Sequence, residues 1–311
     1  MTMIDYAGEI RHWDIPSGKE QAPLKLAPGT APGHAQLSPS GRLLVSFQHS
    51  SYDSSKPQPN GATVVWNLAT GTNWKLSDEA AIFSFAPDEK TSIVSASTSN
   101  PKTSTIMLRD LVTGKELAKA AFPEEDRMFS VGPISPDGSV VAVYLGGKKG
   151  APLEIWFLDA RTLEARGKLI GQGNPDGFWG GVGVFNRDGK RFVAIDGSGN
   201  AIVWNVAAQK MEATRNCGIV GPPRRLTLSP DGKTLAVAWM PKADPELDDA
   251  REPDPQDLPQ PRVSLIDLVG NSPPRLLIAP HGYAGGLAFS PDGKTLAFGG
   301  AGAVHLFDLT K

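Results

Sequence analysis

The phrase Ser-Pro-Asp-Gly occurs at Ser135–Gly138, Ser229–Gly232 and Ser290–Gly293, and altered copies stand at Ser38–Gly41, Ala86–Glu89 and Asn186–Gly189. Successive copies begin 48, 49, 51, 43 and 61 residues apart. A tight turn recurring at near-fixed spacing marks one supersecondary unit repeated along the chain. That single observation excludes most architectures open to 311 residues. It favours one large repeat domain spanning 1–311 over two unrelated domains.

Each turn is followed by a short β-prone run: Leu43–Phe47, Ser92–Ala96, Val140–Tyr144, Arg191–Ile195, Thr234–Ala238 and Thr295–Phe298. Another precedes it, as in Gly286–Ser290 and Arg225–Ser229. Two apolar runs joined by a Pro/Asp/Gly turn read as a β-hairpin. Further along comes an apolar run closed by Asp or Asn, at Asp14, Asn67, Asp110, Asp159, Asn205, Asp267 and Asp308. A Gly-containing turn and a weaker fourth run, such as Glu116–Ala120, often follow. We call these strands a, b, c and d. The most helix-friendly stretch, Asp244–Glu252, is bracketed by prolines, so the expected class is all-β.

Four antiparallel strands every 41 to 62 residues, with Trp13-Asp14, Trp66-Asn67 and Trp204-Asn205 among the strand-c endings, resemble the WD-repeat β-propeller family over essentially the whole chain. The resemblance implies a ring of four-stranded blades and a protein that scaffolds other proteins. The regular Ser-Pro-Asp-Gly and Thr-Gly-Lys phrasing also looks like bacterial multidomain proteins, in which such rings are appended to signalling domains. Where the family places a Gly-His ahead of strand a, only traces remain, at His281-Gly282 and Gly33-His34. Each blade is therefore expected to rely on apolar packing against its neighbours.

Six turns face seven strand-c endings. The first ending, Ile4–Asp14, aligns with Ile195–Asn205, so the chain starts near the end of a strand b, while His305–Asp308 is a strand c with no strand d after it. The leading expectation is seven blades with the first and last incomplete. One closing segment upstream of Met1, of roughly 20–35 residues at ordinary strand and loop lengths, accounts for both gaps. The alternative is six blades, with Ala22–Leu26 closing the last and Ile4–Asp14 outside the ring.

Composition narrows function mainly by exclusion. A net charge of −2 without a basic stripe disfavours nucleic acid. No run of 18 apolar residues is present, so no membrane span is expected. One cysteine, Cys217, rules out an internal disulfide framework, and the N-terminus lacks a signal-peptide pattern, which points to a soluble, cytoplasmic protein. No Gly-x-Ser-x-Gly, phosphate-binding loop, His-Glu-x-x-His or cysteine pair occurs, and the five histidines lack short metal-ligand spacings. No catalytic residue, cofactor or metal is expected. Asp88, Asp137, Asp188, Asp231 and Asp292 read as turn formers. The strand-c tryptophans read as blade packing, and Cys217 as a small, partly buried residue.

The irregular loops carry the functional expectation. The b–c loop Met240–Pro261 holds seven carboxylates, Asp248 and Asp249 among them, against Lys242 and Arg251. Gln48–Ala62 carries Tyr52 and Asp53, and Gly146–Pro152 is basic through Lys148 and Lys149. In the WD-repeat family b–c and d–a loops share one face. That face also receives Phe178 and Trp179, and Arg224 and Arg225. Long loops and exposed aromatics are frequent binding elements. The expected function is a non-catalytic platform binding another protein or peptide through Tyr52, Asp53, Phe178, Trp179, Arg224, Arg225, Asp248, Asp249 and Arg251. The alternative is an enzyme or small-molecule sensor with its site at the axis, to which His34, Arg127, Arg224 and Arg225 would contribute.

Overall fold

The computed structural model describes residues 2–4, 9–14, 19–25, 32–48, 63–77, 82–99, 102–123, 128–146, 154–170, 183–241, 260–279, 285–300 and 303–310. The chain divides into two compact units, Met1–Pro123 with Ala160–Leu163, and Glu124–Asp159 with Glu164–Lys311.

The first unit holds three antiparallel sheets. β1 (Thr2–Ile4), β2 (Glu9–Asp14) and β3 (Lys19–Lys25) form a three-stranded sheet. β4 (Pro32–Leu37), β5 (Leu43–Gln48), β6 (Thr63–Asn67) and β7 (Asn73–Ser77) form the next, followed by β8 (Ile82–Phe85), β9 (Thr91–Ser99), β10 (Lys102–Asp110) and β11 (Glu116–Pro123).

The second unit holds four. The first three are β12 (Met128–Ile134) to β15 (Ala165–Ile170) through β13 (Val140–Gly146) and β14 (Glu154–Asp159); β16 (Gly183–Phe185) to β19 (Lys210–Asn216) through β17 (Arg191–Ile195) and β18 (Asn200–Asn205); and β20 (Pro223–Leu228) to β23 (Arg275–Ile278) through β21 (Thr234–Trp239) and β22 (Arg262–Asp267). β24 (Gly286–Phe289), β25 (Thr295–Gly300) and β26 (Ala303–Asp308) close the series with three strands.

These are the four-stranded antiparallel blades of an all-β propeller fold. Counted from β4, six sheets follow one another, five of them four-stranded, which matches the six-blade alternative and corrects the leading expectation of seven; the three-stranded sheet β1–β3 precedes them in sequence. The segment Ala22–Leu26, assigned to the last sheet in the six-blade expectation, falls largely in β3, where Leu24 lies opposite Ile10 of β2.

The turn chemistry explains the repeat. In each intact copy the serine hydroxyl donates to the aspartate, 2.5 Å at Ser135, 2.6 Å at Ser229 and 2.6 Å at Ser290. The same serine oxygen accepts the backbone N–H of Val140, Thr234 or Thr295 at 2.9 Å. The turn glycines sit at φ of 71°, 69° and 72°, a region that costs a side-chain-bearing residue energy. At the second turn Glu89 takes that place with φ 55°, and its carboxylate accepts both the backbone N–H (2.6 Å) and the hydroxyl (2.9 Å) of Ser40 in the preceding turn. The Asp or Asn closing strand c caps the next turn in the same spirit. Asn67 accepts the N–H groups of Ala69 and Thr70, Asp110 those of Val112 and Thr113, and Asp267 those of Val269 and Gly270.

Between sheets the core is apolar. Phe157 lies 5.3 Å from Phe192 and 6.2 Å from Trp204, ring centroid to centroid, and Phe185 adds a second edge contact to Phe192 at 4.8 Å. The expected reliance on apolar packing is incomplete, however, because polar clasps cross the same junctions. Trp74 of β7 donates its indole N–H to the Leu111 carbonyl (2.8 Å) beyond β10. Gln209, after β18, donates to the Arg166 carbonyl of β15, and Gly167 leaves room for that side chain. Arg215 of β19 donates to the Gly270 carbonyl (3.1 Å) beyond β22.

Candidate functional site

The recurring aspartates are committed to their own turns, each accepting a backbone N–H two residues on: Lys90, Ser139, Lys190, Lys233 and Lys294 for Asp88, Asp137, Asp188, Asp231 and Asp292. Asp231 and Asp292 are held below the usual carboxylate range chiefly by the serine hydroxyl, and Asp188 chiefly by the Lys190 N–H. Burial pushes Asp137 upward, but Ser135 and Ser139 outweigh it and hold the group low. Among the described residues, no group of three or more His, Cys, Asp and Glu is placed to hold a metal ion. No helix is long and apolar enough to cross a membrane among those residues.

On the b–c and d–a side of the second unit, the described segment is Asn216–Arg225 with the feet of the acidic loop. Pro223 pairs with Trp239, so the start of strand a lies beside the end of strand b. The Met240 N–H donates to the Pro222 carbonyl (3.4 Å), and the Ala279 N–H donates to the Pro261 carbonyl (3.0 Å). Trp239 anchors the same corner, its indole N–H donating to Ser264 Oγ at 3.1 Å. The two ends of the acidic segment, Met240 and Pro261, thus stand on a hydrogen-bonded base beside Arg224. A register shift between Pro223 and Arg225 makes Arg224 a bulge residue, which re-aims its side chain. Arg224 is exposed, and Val220 nearby in sequence is exposed to 71%.

Arg225 is tied to structure more than the sequence suggests. Its Nε donates to the Gly285 carbonyl (3.1 Å) and its Nη1 to the Arg224 carbonyl (2.8 Å), joining the inner end of one sheet to the next. Tyr52, Asp53, Phe178, Trp179, Asp248, Asp249, Arg251 and Arg127 lie outside the described residues. Cys217 is fully buried rather than partly so, and desolvation pushes its thiol up to about 12, far from a thiolate nucleophile.

Two grooves open between consecutive sheets of this unit. One is lined by Asn186, Arg191, Glu212 and Leu268 among others, and its polar groups are engaged with each other: Arg191 Nε donates to Glu212 (2.7 Å), as does Asn205 Nδ2 (2.8 Å). The other is lined by Asp137, Arg166, Lys190 and Gln209 at the equivalent place one sheet earlier. Their recurrence makes them a product of the repeat.

Sequence reasoning passed over Tyr144. Its side chain is buried and its hydroxyl has no hydrogen-bond partner among the described residues. Desolvation raises the phenol well above its ordinary range. The ring lies against Gly132 of β12 and its hydroxyl reaches Gly183 of β16, places where a Cβ would collide with it. Those two glycines at inner strands were the available signal.

No protein-family model matches the chain, and no curated protein matches its sequence. Among solved structures it is similar to Kuenenia stuttgartiensis hydrazine synthase, with a TM-score of 0.63 and 20% identity over 92% of this chain and 78% of that one. Similarity at that level shows the shared β-propeller fold. Since 1404 solved chains match, the fold selects no chemistry.

Proposed function

We propose that this chain is a non-catalytic protein–protein interaction platform of the WD-repeat type, holding another protein or peptide on the face where the b–c and d–a loops leave the sheets. The observation that carries the reading is the fate of the repeated acids: they are bound to their own turns, so the most regular polar residues are structural and variation is left to the loops. The paired base beneath the acidic loop, with exposed Val220 and Arg224 beside it, suits a contact surface that combines charge with an apolar spot. A partner protein fits the net charge of −2 better than nucleic acid does. The test is affinity capture from the source cell with the intact chain and with Trp179→Ala combined with deletion of Asp244–Gln260. The altered chain should lose at least one specific partner; retention of every partner would remove this face from consideration.

A second reading, an enzyme or sensor with its site at the inner strands, is favoured by the Tyr144 hydroxyl, which has no hydrogen-bond partner among the described residues, and by a structural neighbour whose name denotes an enzyme. A crystal structure with an ordered small molecule held there by two or more ionisable groups would put this reading first.

A further inference from the structure

We propose that Ser92 and Arg109, which face each other across β9 and β10, form a binding site for a small monovalent anion of halide size. The site is separate from the loop face and from the inner strands, and stands whether or not either binds anything.

It is an exception to the repeat. The residue just before the Asp or Asn that closes strand c has a fixed partner on strand b. In five of the six sheets from β4 onward that pair is apolar on both strands: Leu44↔Trp66, Val141↔Leu158, Phe192↔Trp204, Leu235↔Ile266 and Leu296↔Phe307. All five strand-b members are fully buried. In the sheet β8–β11 the same pair is Ser92↔Arg109, polar on both strands. Ser92 is as buried as its counterparts. A hydroxyl and a guanidinium thus stand together where the other sheets keep hydrocarbon. Departures from a repeat's own rule concentrate at functional places.

The two groups lack acceptors. Ser92 Oγ and Arg109 Nε are buried and have no hydrogen-bond partner among the described residues. The other guanidinium nitrogens reach the Gly114 carbonyl at 3.3 Å and the Met107 sulfur, a weak acceptor, at 3.5 Å. Arg109 forms no ion pair among the described residues. Of the acids near it in the chain or the sheet, Asp110 holds the Val112 and Thr113 N–H groups and Glu89 holds Ser40. Glu116, opposite Arg109 on β11, is exposed. Strand residues two apart share a face, so Ser92 and Arg109 look the same way as Val94 and Met107. Val94 packs there with Val45, Val65 and Leu76 of the preceding sheet, whose side chains offer no acceptor.

A buried hydroxyl and a buried cation each cost energy without a partner, and such orphans call for an ion or a water. Two adjacent donors, one of them positively charged, select an acceptor that carries negative charge. The apolar wall and the burial of both atoms limit its size, and two donors are too few to satisfy phosphate or sulfate. A halide meets all three conditions.

The direct test is a crystal of the full chain soaked in sodium bromide and measured at the bromine edge. We expect an anomalous peak at hydrogen-bonding distance from both Arg109 Nε and Ser92 Oγ. In solution, saturating chloride or bromide should raise the melting temperature by about 2–4 °C over gluconate at equal ionic strength. Ser92→Leu with Arg109→Trp installs the pair found at Leu44 and Trp66, so the halide effect should vanish with the fold retained by circular dichroism. Should that variant unfold, Ser92→Ala removes one donor alone and should weaken halide binding about fivefold or more. A water or the Glu116 carboxylate in the bromide position overturns the proposal. So does a halide effect equal in wild type and variant, which is a general salt effect. A bromide peak with no halide effect on melting marks an adventitious ion only and overturns it as well.

Discussion

Leu265 and Leu306 occupy the same place in consecutive sheets, two residues before the aspartate that ends strand c, yet Leu265 is 9% exposed and Leu306 is 53% exposed. The strands that bear them are similar and so are the turns that precede them. What differs is the neighbour: Leu265 packs in a cluster with Leu296 and Phe298 of the following sheet. Burial in this fold is a property of the junction between sheets, and a strand's own sequence specifies only which side chains are offered to it.

That contrast can be broken or sharpened by measurement. The largest effect belongs to the covered face of the terminal sheet: Phe298, fully buried in the Leu265 cluster, should cost about 3–5 kcal/mol when changed to Ala. A loss below about 1 kcal/mol in urea unfolding would mean that the terminal sheet unfolds separately from the rest. Leu265→Ala should cost about 2–5 kcal/mol, while Leu306→Ala should stay within about 0.5 kcal/mol. Equal losses at the two leucines would abolish the distinction.

Acid should act on both sheets alike, because Ser229–Asp231 and Ser290–Asp292 share the same bonds, 2.6 Å from the hydroxyl and 3.1 Å from the lysine N–H. The folded carboxyls are lowered, so their stabilisation is fully present above the ordinary aspartate value of about 3.9 and is lost as pH falls through the folded values. Asp231→Asn and Asp292→Asn should flatten the acid limb of a stability–pH profile equally; an unequal response would tie turn chemistry to sheet position. The smallest change is Tyr144→Phe, which removes a buried hydroxyl with no partner among the described residues and should leave thermal stability unchanged or slightly higher. A clear loss of stability would show that the hydroxyl has a partner in solution.

Much of the fold was legible because it is written in local chemistry. Each strand c ends on its marked Asp or Asn, from Asp14 to Asp308, since that side chain caps the turn that follows. Strand b begins at Arg191 and Thr234, where the sequence pattern put it. The junctions were not legible. Trp74 and Leu111, or Arg215 and Gly270, are far apart in sequence and share no motif. Glu89 looked like a decayed glycine position, whereas it keeps the left-handed backbone and gains a bond to the previous turn. Arg225 looked like a binding residue because an arginine on a sheet end carries no sequence mark of an intramolecular carbonyl partner. Arg224 kept its exposure through a bulge that spacing alone does not reveal.

The clasps between sheets have one more consequence. An indole, a carboxamide and a guanidinium each reach a backbone carbonyl across a different junction, and the carboxamide also needs the space left by Gly167. Repeats that look interchangeable in their turns therefore carry distinct addresses at their borders. Exchanging two internal sheets by gene shuffling would preserve every hairpin and still misdirect the assembly, because each sheet would meet a neighbour fitted for someone else.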